Sequence, residues 1–105
     1  MLVRMSHWVT KPGMDETSKQ LWEDRVRAIW HAQPGLIQAH LLAEPGSDRR
    51  MTFSVWRTAE DYEAFRTGPD LQEIAAAYDE VYAEGRRPTP IEWDVLTDDW
   101  PDPAR

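Results

Sequence analysis

The sequence RRMTFSVWRTAEDYEAF, residues Arg49 to Phe65, contains the clearest change of pattern in the chain. Polar and apolar residues alternate as far as Trp56, which is the period of a β-strand with two different faces. The alternation stops at Thr58, and Thr58 and Asp61 have the spacing of a helix capping box. The stretch therefore predicts a strand that runs directly into a helix.

The segments on either side of this stretch predict the same two kinds of element. Alternating runs predict three further strands, over Leu2–Thr10, Leu36–Glu44 and Ile91–Leu96. Apolar residues at helical spacing predict a first helix over residues 14–33, with Asp15 as its N-cap. The second helix, which carries Tyr62 and Phe65, should break at Gly68 and Pro69, because proline cannot continue a helix.

The order βαββαβ predicts an α+β, ferredoxin-like fold, in which a four-stranded antiparallel sheet carries both helices on one face. The 105 residues suffice for one domain, which we place at residues 1–97. Residues 98–105 form an acidic, proline-rich tail that contains Trp100.

Composition excludes several classes of function. The net charge of −7 repels phosphate backbones, so we do not expect a nucleic-acid partner. The chain has no cysteine, which removes disulfides and thiolate sites and fits a reducing cytoplasm. No apolar run approaches the roughly 20 residues of a membrane span, and the first residues do not have the pattern of a signal peptide. We therefore expect a cytoplasmic protein without a membrane partner.

The two parities of the strands predict which residues the helices cover. We assign Val3, Met5, His7 and Val9 to the helix-covered face, together with Met51, Phe53 and Val55 of the third strand. Trp8 and Trp56 have the opposite parity, which places them on the uncovered face. Exposed tryptophans on an open sheet need a partner surface, so we predict a homodimer that buries Trp8 and Trp56 between two sheets.

Three segments carry a resemblance to a known family: TKPGMDE, AQPGLIQAHLL and MTFSVWRTAEDYEAFRTGPDLQEI. They resemble the antibiotic biosynthesis monooxygenase family of the dimeric α/β-barrel fold, and the likeness extends from about Leu2 to Leu96. The resemblance implies two sheets facing each other across a dimer and a pocket inside each subunit, between the sheet and its helices. It also implies cofactor-free oxygenation of polycyclic phenols from polyketide pathways, with dioxygen as co-substrate.

Some similar proteins degrade haem, using an asparagine on the first strand and a tryptophan and a histidine on the second helix. The matching positions here are His7, Phe65 and Ala75, so the sequence does not predict haem degradation. The three histidines lack metal-ligand spacing, and no dinucleotide fingerprint or phosphate loop is present. We therefore expect neither a cofactor nor a metal.

His7 is the candidate catalytic base, because an imidazole can take a phenolic proton near neutral pH. Flat side chains suit a planar aromatic substrate. The predicted substrate-binding residues are Trp30, His40, Phe53, Tyr62, Phe65, Tyr78 and Trp93. The sequence leaves open which face of its strand His40 occupies.

These observations lead to one main hypothesis and two alternatives. The main hypothesis is an enzyme, a cofactor-independent monooxygenase acting on a polycyclic phenol. The alternatives are a polyketide cyclase or isomerase on the same fold, and a domain that binds a small aromatic without turnover.

Overall fold

The computed structural model describes residues 1–83 and 89–97. Four strands form one antiparallel sheet in the order β2-β3-β1-β4. The strands are β1 (Leu2–Val9), β2 (Leu36–Ala43), β3 (Arg49–Trp56) and β4 (Thr89–Asp94). The predicted α+β, ferredoxin-like fold is confirmed, while the acidic tail at residues 98–105 and its Trp100 lie outside the described residues.

The helices cover one face of this sheet. They are α1 (Asp15–Leu21), α2 (Arg27–His31), α3 (Ala59–Thr67) and α4 (Pro69–Tyr78). A π-helical turn at Trp22–Val26 joins α1 to α2, so the single helix predicted over residues 14–33 is continuous but not uniformly α-helical. In the part of the chain that is described, no helix has the length and apolar character needed to cross a membrane.

The junction between β3 and α3 follows the capping prediction. Thr58 is the N-cap of α3, and its hydroxyl accepts a hydrogen bond from the backbone N–H of Asp61 at 3.1 Å. Gly35 approaches the same turn with φ +80°, and a Cβ at that position would lie 2.2 Å from Asp61 Oδ2. Only glycine fits there without a shift, because both the backbone conformation and the space exclude a side chain.

The predicted break in the second helix is confirmed, since α3 ends at Thr67 and Pro69 opens α4. The predicted cap of the first helix is wrong: Met14 is the N-cap, and Asp15 is the first helical residue. The Asp15 carboxylate instead pairs with the guanidinium of Arg50, whose side chain is only 7% exposed. That guanidinium also donates to the carbonyls of Ser47 and Arg49, each at 2.8 Å, and so ties α1 to the β2–β3 hairpin.

The predicted assignment of sheet faces is wrong. Trp8 is 5% exposed and Trp56 is 0% exposed within the single chain, where both belong to the core between the sheet and the helices. Trp8 and Trp56 therefore do not form the proposed sheet-to-sheet seam. Alternation separates two sets of residues but does not say which set meets the helices, and here the larger rings fill that space.

The uncovered face carries the other parity. Met5 pairs with Phe53 across β1 and β3, and Phe53 pairs with His40 of β2. On the outer strand β4, Trp93 pairs with Val3 and is 55% exposed. This apolar face is the one without helices.

Candidate functional site

A cavity of about 320 Å³ lies between the covered face of the sheet and the helices. Its floor consists of four polar residues from the two central strands. Ser6 of β1 is paired with Thr52 of β3, and Arg4 is paired with Ser54, so the four side chains form one compact patch. Burying polar groups within an otherwise aromatic core costs free energy unless they are hydrogen-bonded. A polar patch of this kind beside a cavity is therefore a candidate binding site.

The walls of the cavity are mostly aromatic and aliphatic. The ring centroids of Trp30 and Phe65 lie 4.8 Å apart. The Trp56 ring packs against both, with its centroid 6.2 Å from that of Trp30 and 5.2 Å from that of Phe65. The described wall residues are Trp30, Tyr62, Phe65, Leu71, Ile74, Ala75 and Tyr82. Flat rings in a cleft of this kind suit a planar, largely apolar ligand.

Arg4 is the charged residue of the cavity. Its guanidinium carbon lies 4.5 Å from the centroid of the Tyr62 ring, which is within cation–π distance. Its Nε is buried and makes no hydrogen bond, and no carboxylate of the described residues forms an ion pair with it. Burial lowers the pKa of Arg4, and the charge of Glu92 opposes that effect only in part.

Two further donors of the cavity walls are buried and unpaired. The hydroxyl of Tyr62 and the indole N–H of Trp30 have no hydrogen-bond partner. By contrast, the indole N–H of Trp56 donates to the hydroxyl of Ser54 at 3.0 Å. The described part of the chain thus leaves three buried donors around the cavity unsatisfied, a guanidinium Nε, a phenol and an indole, although buried polar groups usually find partners.

The structure brings three of the predicted site residues together: Trp30, Tyr62 and Phe65 all line the cavity. Tyr78 is buried beside it, between Trp8 and Tyr82, with ring centroids 5.9 Å and 6.2 Å away. Its hydroxyl donates to the carbonyl of Ser18 at 3.4 Å, and burial raises the pKa of Tyr78 well above its usual value.

The expectation that His7 projects into this cavity is wrong, because His7 shares the uncovered face with Met5 and Met51. His7 lines a shallow surface depression of about 200 Å³ beside Leu42 and Met51.

The other predicted residues on the uncovered face are also placed away from the cavity. His40 is exposed there, its Nε2 lies 2.9 Å from the Gln38 amide oxygen, and Phe53 is its strand partner. Trp93 lies on the same face at the opposite edge of the sheet, on β4. For His7 and Phe53 the cause is the inverted parity, whereas the sequence left the face of His40 open.

Sequence reasoning missed the entire polar floor of the cavity. The signal was present: Arg4 and Ser6 share a parity with Leu2 and Trp8, and Thr52 and Ser54 share one with Trp56. A parity that mixes the bulkiest rings with small hydroxyls and one arginine is typical of a lined cavity rather than of a solvated face. The residues Leu71, Ile74, Ala75 and Tyr82 of the wall were also not predicted.

The described lining does not fit a haem held by histidine. None of the described lining residues is a histidine, cysteine or methionine, and Ile74 and Ala75 occupy the part of α4 where the resemblance places the ligand. The β1 residues that line the cavity are Arg4 and Ser6, not His7. No group of three or more metal-ligating side chains is found among residues 1–83 and 89–97.

The fold and the cavity between sheet and helices define a small ferredoxin-like α+β domain with a lined candidate site. The chain belongs to the antibiotic biosynthesis monooxygenase family, whose model matches residues 1–77. A search of curated proteins finds no match.

Solved structures agree on the fold. A monooxygenase from the gene ActVA-Orf6 of Streptomyces coelicolor, in complex with nanaomycin D, superposes with a TM-score of 0.78 at 16% identity, covering 96% of this chain and 92% of that one. SnoaB, a cofactor-independent oxygenase from Streptomyces nogalater, gives 0.72 at 15% identity, covering 92% and 94%. A MhuD variant with two manganese protoporphyrin IX bound per active site gives 0.73 at 18% identity, covering 96% and 100%.

Proposed function

We propose that this chain is a cofactor-independent monooxygenase that oxidises a planar, phenolic aromatic of the polyketide type. The observation that carries the proposal is the cavity itself, which has aromatic walls around a polar floor. Membership of the family supports oxidation chemistry, and the likeness to a cofactor-independent oxygenase supports the absence of a resident cofactor.

The chemistry requires an electron-rich substrate such as a hydroxyanthrone. The substrate loses a proton to solvent and becomes an anion, which the positive charge of Arg4 in the cavity lining stabilises. The anion passes one electron to dioxygen, and the two radicals then combine to form a carbon–oxygen bond. The resulting peroxide breaks its O–O bond and loses water, so that a CH₂ group and dioxygen become a carbonyl group and one molecule of water.

Oxygen uptake with an anthrone tests this proposal, with a chelator present to exclude adventitious metal. We expect equal amounts of dioxygen consumed and quinone formed, and one oxygen atom from labelled dioxygen in the product. The variant Ala75→Phe should fill the cavity and reduce turnover about tenfold or more. The matched control is Ala76→Phe, because Ala76 is the next residue of α4 and is exposed. Equal loss in both variants, or uptake that the chelator abolishes, would contradict the proposal.

One observation favours a domain that binds an aromatic without turnover as the alternative. The described lining contains no histidine, lysine or carboxylate that could exchange a proton near neutral pH. A cyclase or isomerase needs such a base, so binding is the stronger alternative. Saturable binding of an anthrone without any oxygen uptake would establish it.

The proposal includes a homodimer, formed through the uncovered face rather than through Trp8 and Trp56. That face carries the apolar residues Met5, Leu42, Phe53, Ile91 and Trp93. An open sheet with exposed large side chains favours burial against a second copy. Light scattering should give about twice the 12.2 kDa mass of the chain, and a monomer at micromolar concentration would contradict the dimer. A cytoplasmic location remains a prediction from the sequence.

A further inference from the structure

We infer that a hydrogen-bonded bridge between Gln33 and Asp70 sets the width of the cavity and so selects flat ligands over thicker ones. The side-chain Nε2 of Gln33 donates to Asp70 Oδ2 at 2.8 Å, which joins the end of α2 to the start of α4. This inference rests on the proposed function for the aromatic class of the ligand. It adds two positioning residues that limit the thickness of that ligand, although neither of them lines the cavity.

The first argument is the place of the bridge beside two walls that belong to different helices. Trp30 of α2 and Leu71 of α4 both line the cavity. The backbone N–H of Gln33 donates to the carbonyl of Trp30 at 3.1 Å, and Asp70 directly precedes Leu71. The bridge therefore ties together the two backbone segments that carry these walls, and the walls cannot separate at this end of α4 while the bridge is intact.

The second argument is that the Gln33 side chain is oriented from its own helix as well as from α4. Its Nε2 also donates to the carbonyl of Ile29 at 2.9 Å, one of the carbonyls in the last turn of α2. Both Gln33 and Asp70 are half-buried, which limits competition from water. A hydrogen bond to a carboxylate is also stronger than one between neutral groups. The bridge is therefore a defined contact rather than a chance meeting of two surface side chains.

The third argument is that the backbone of α3 does not fix the start of α4. Gly68 is extended, with φ −87° and ψ 175°, and Pro69 opens α4 without a backbone N–H. Near its other end, α4 is joined to α1 by the Tyr78 hydroxyl, which donates to the carbonyl of Ser18 at 3.4 Å, a long and weak hydrogen bond. The bridge at Asp70 is thus the stronger of these two side-chain links between α4 and the first helical segment.

The width of the cavity follows from these contacts. A flat ring can enter between the walls without moving them, whereas a thicker ligand has to push Leu71 away from Trp30. Close-packed side chains leave little room to yield, so this separation breaks the bridge. The free energy of the bridge is therefore lost only when a thick ligand binds, and the cavity prefers flat ligands by that amount.

The experiment compares a flat probe with thick probes on the purified full chain. The flat probe is a hydroxyanthraquinone, and the thick probes are two derivatives that carry a tert-butyl group on one or the other outer ring. Each is already a quinone, so none undergoes the proposed oxygenation. Quenching of tryptophan fluorescence gives the affinity for each probe, and the ratio of flat to thick affinity is the selectivity.

Gln33→Leu removes the donor of the bridge, and Asp70→Ala removes the acceptor. Each should raise the affinity for at least one thick probe by about tenfold, the size expected for a hydrogen bond to a charged group, and leave that for the flat probe within about twofold. Because both variants break the same bond, the double variant should match either single variant. Asp70→Asn keeps an acceptor oxygen and should retain part of the parental selectivity.

The matched control is Gln20→Leu. Gln20 donates to Asp24 Oδ2 at 2.6 Å, which is the same pair of groups in an exposed place, and neither residue lines the cavity. This control should leave the selectivity unchanged. If Gln33 and Asp70 only stabilised the fold, their loss would lower the affinity for flat and thick probes together. That result, or parental selectivity in both variants, would overturn the inference.

Asp70→Ala and Asp70→Asn keep the test decisive if Gln33→Leu does not fold. Loss of selectivity in the Asp70→Ala chain, with no oxygen uptake from an anthrone by the parental chain, would contradict the proposed oxygenase only. Oxygen uptake by the parental chain, together with unchanged selectivity in Asp70→Ala, would contradict this inference only.

Discussion

The two faces of this sheet are built from alternate residues of the same strands, yet they serve different purposes. The covered face combines tryptophans with serine, threonine and two arginines, of which Arg4 lines the cavity. The uncovered face combines methionine, phenylalanine and histidine in an exposed, largely apolar surface. The comparison teaches that the face with more polar residues can be the inner one, when those residues form the floor of a binding site.

The largest expected effect separates the two faces by stability. Trp56→Ala should cost about 3–5 kcal/mol of unfolding free energy, because Trp56 is fully buried in the single chain. Phe53→Ala, on the opposite face of the same strand, should act mainly through the proposed dimer. Chemical denaturation at several protein concentrations checks this. The cost of Trp56→Ala should not vary with concentration, whereas that of Phe53→Ala should increase with it. If the cost of Trp56→Ala varied with protein concentration, Trp56 would lie in an interface between two chains.

The next effect concerns the ion pair at the edge of the covered face. Asp15→Ala should destabilise the fold by about 1–3 kcal/mol, because it leaves the buried guanidinium of Arg50 without its carboxylate. Glu16→Ala is the matched control, since Glu16 lies in the same first turn but forms only an exposed pair with Lys19. Thermal unfolding of both variants should show the difference, and equal shifts would mean that only the helix dipole is involved.

A smaller effect is expected at Gly35, the residue immediately before β2. Gly35→Ala and Gly46→Ala place the same methyl group at similar backbone angles, φ +80° and +73°. Each should cost about 1 kcal/mol from the left-handed conformation alone. Gly35→Ala should cost more, because its methyl group meets the Asp61 side chain while that of Gly46 meets open space. Adding Asp61→Ala should recover only part of the excess cost of Gly35→Ala, because the Asp61 Cβ, which alanine keeps, would itself lie 2.6 Å from the added methyl group.

The smallest effect appears only in alkali. Burial raises the pKa of Tyr78 in the folded state above its value of about 10 in the unfolded chain, so the folded state holds its proton more tightly. The resulting stability is fully present below about pH 10 and decreases as the pH rises further. Tyr78→Phe cannot ionise, so its unfolding free energy should decrease less steeply with alkaline pH. Parallel curves for the two proteins would mean that Tyr78 does not contribute.

The sequence by itself determined the order of elements and most of their ends. The strand of Arg49–Trp56, the cap at Thr58 and the break at Pro69 depend on side-chain period, a local hydrogen bond and a fixed dihedral angle, which act over a few residues. Such local terms are readable without the rest of the molecule. Trp30, Tyr62 and Phe65 were placed in the site for the same reason, because helical spacing identifies an inward stripe.

Only the tertiary structure decided which face of the sheet the helices cover, and with it the position of Arg4 in the cavity lining. Both parities of β1 and β3 contain large apolar side chains, so burial alone gives no preference until the helices pack on one of them. The surroundings of Arg4 likewise come from several elements: the Tyr62 ring of α3 lies 4.5 Å from the guanidinium carbon, and Glu92 of β4 is its strand partner. These contacts join residues that are distant in the sequence, and such residues come together only when the chain has folded.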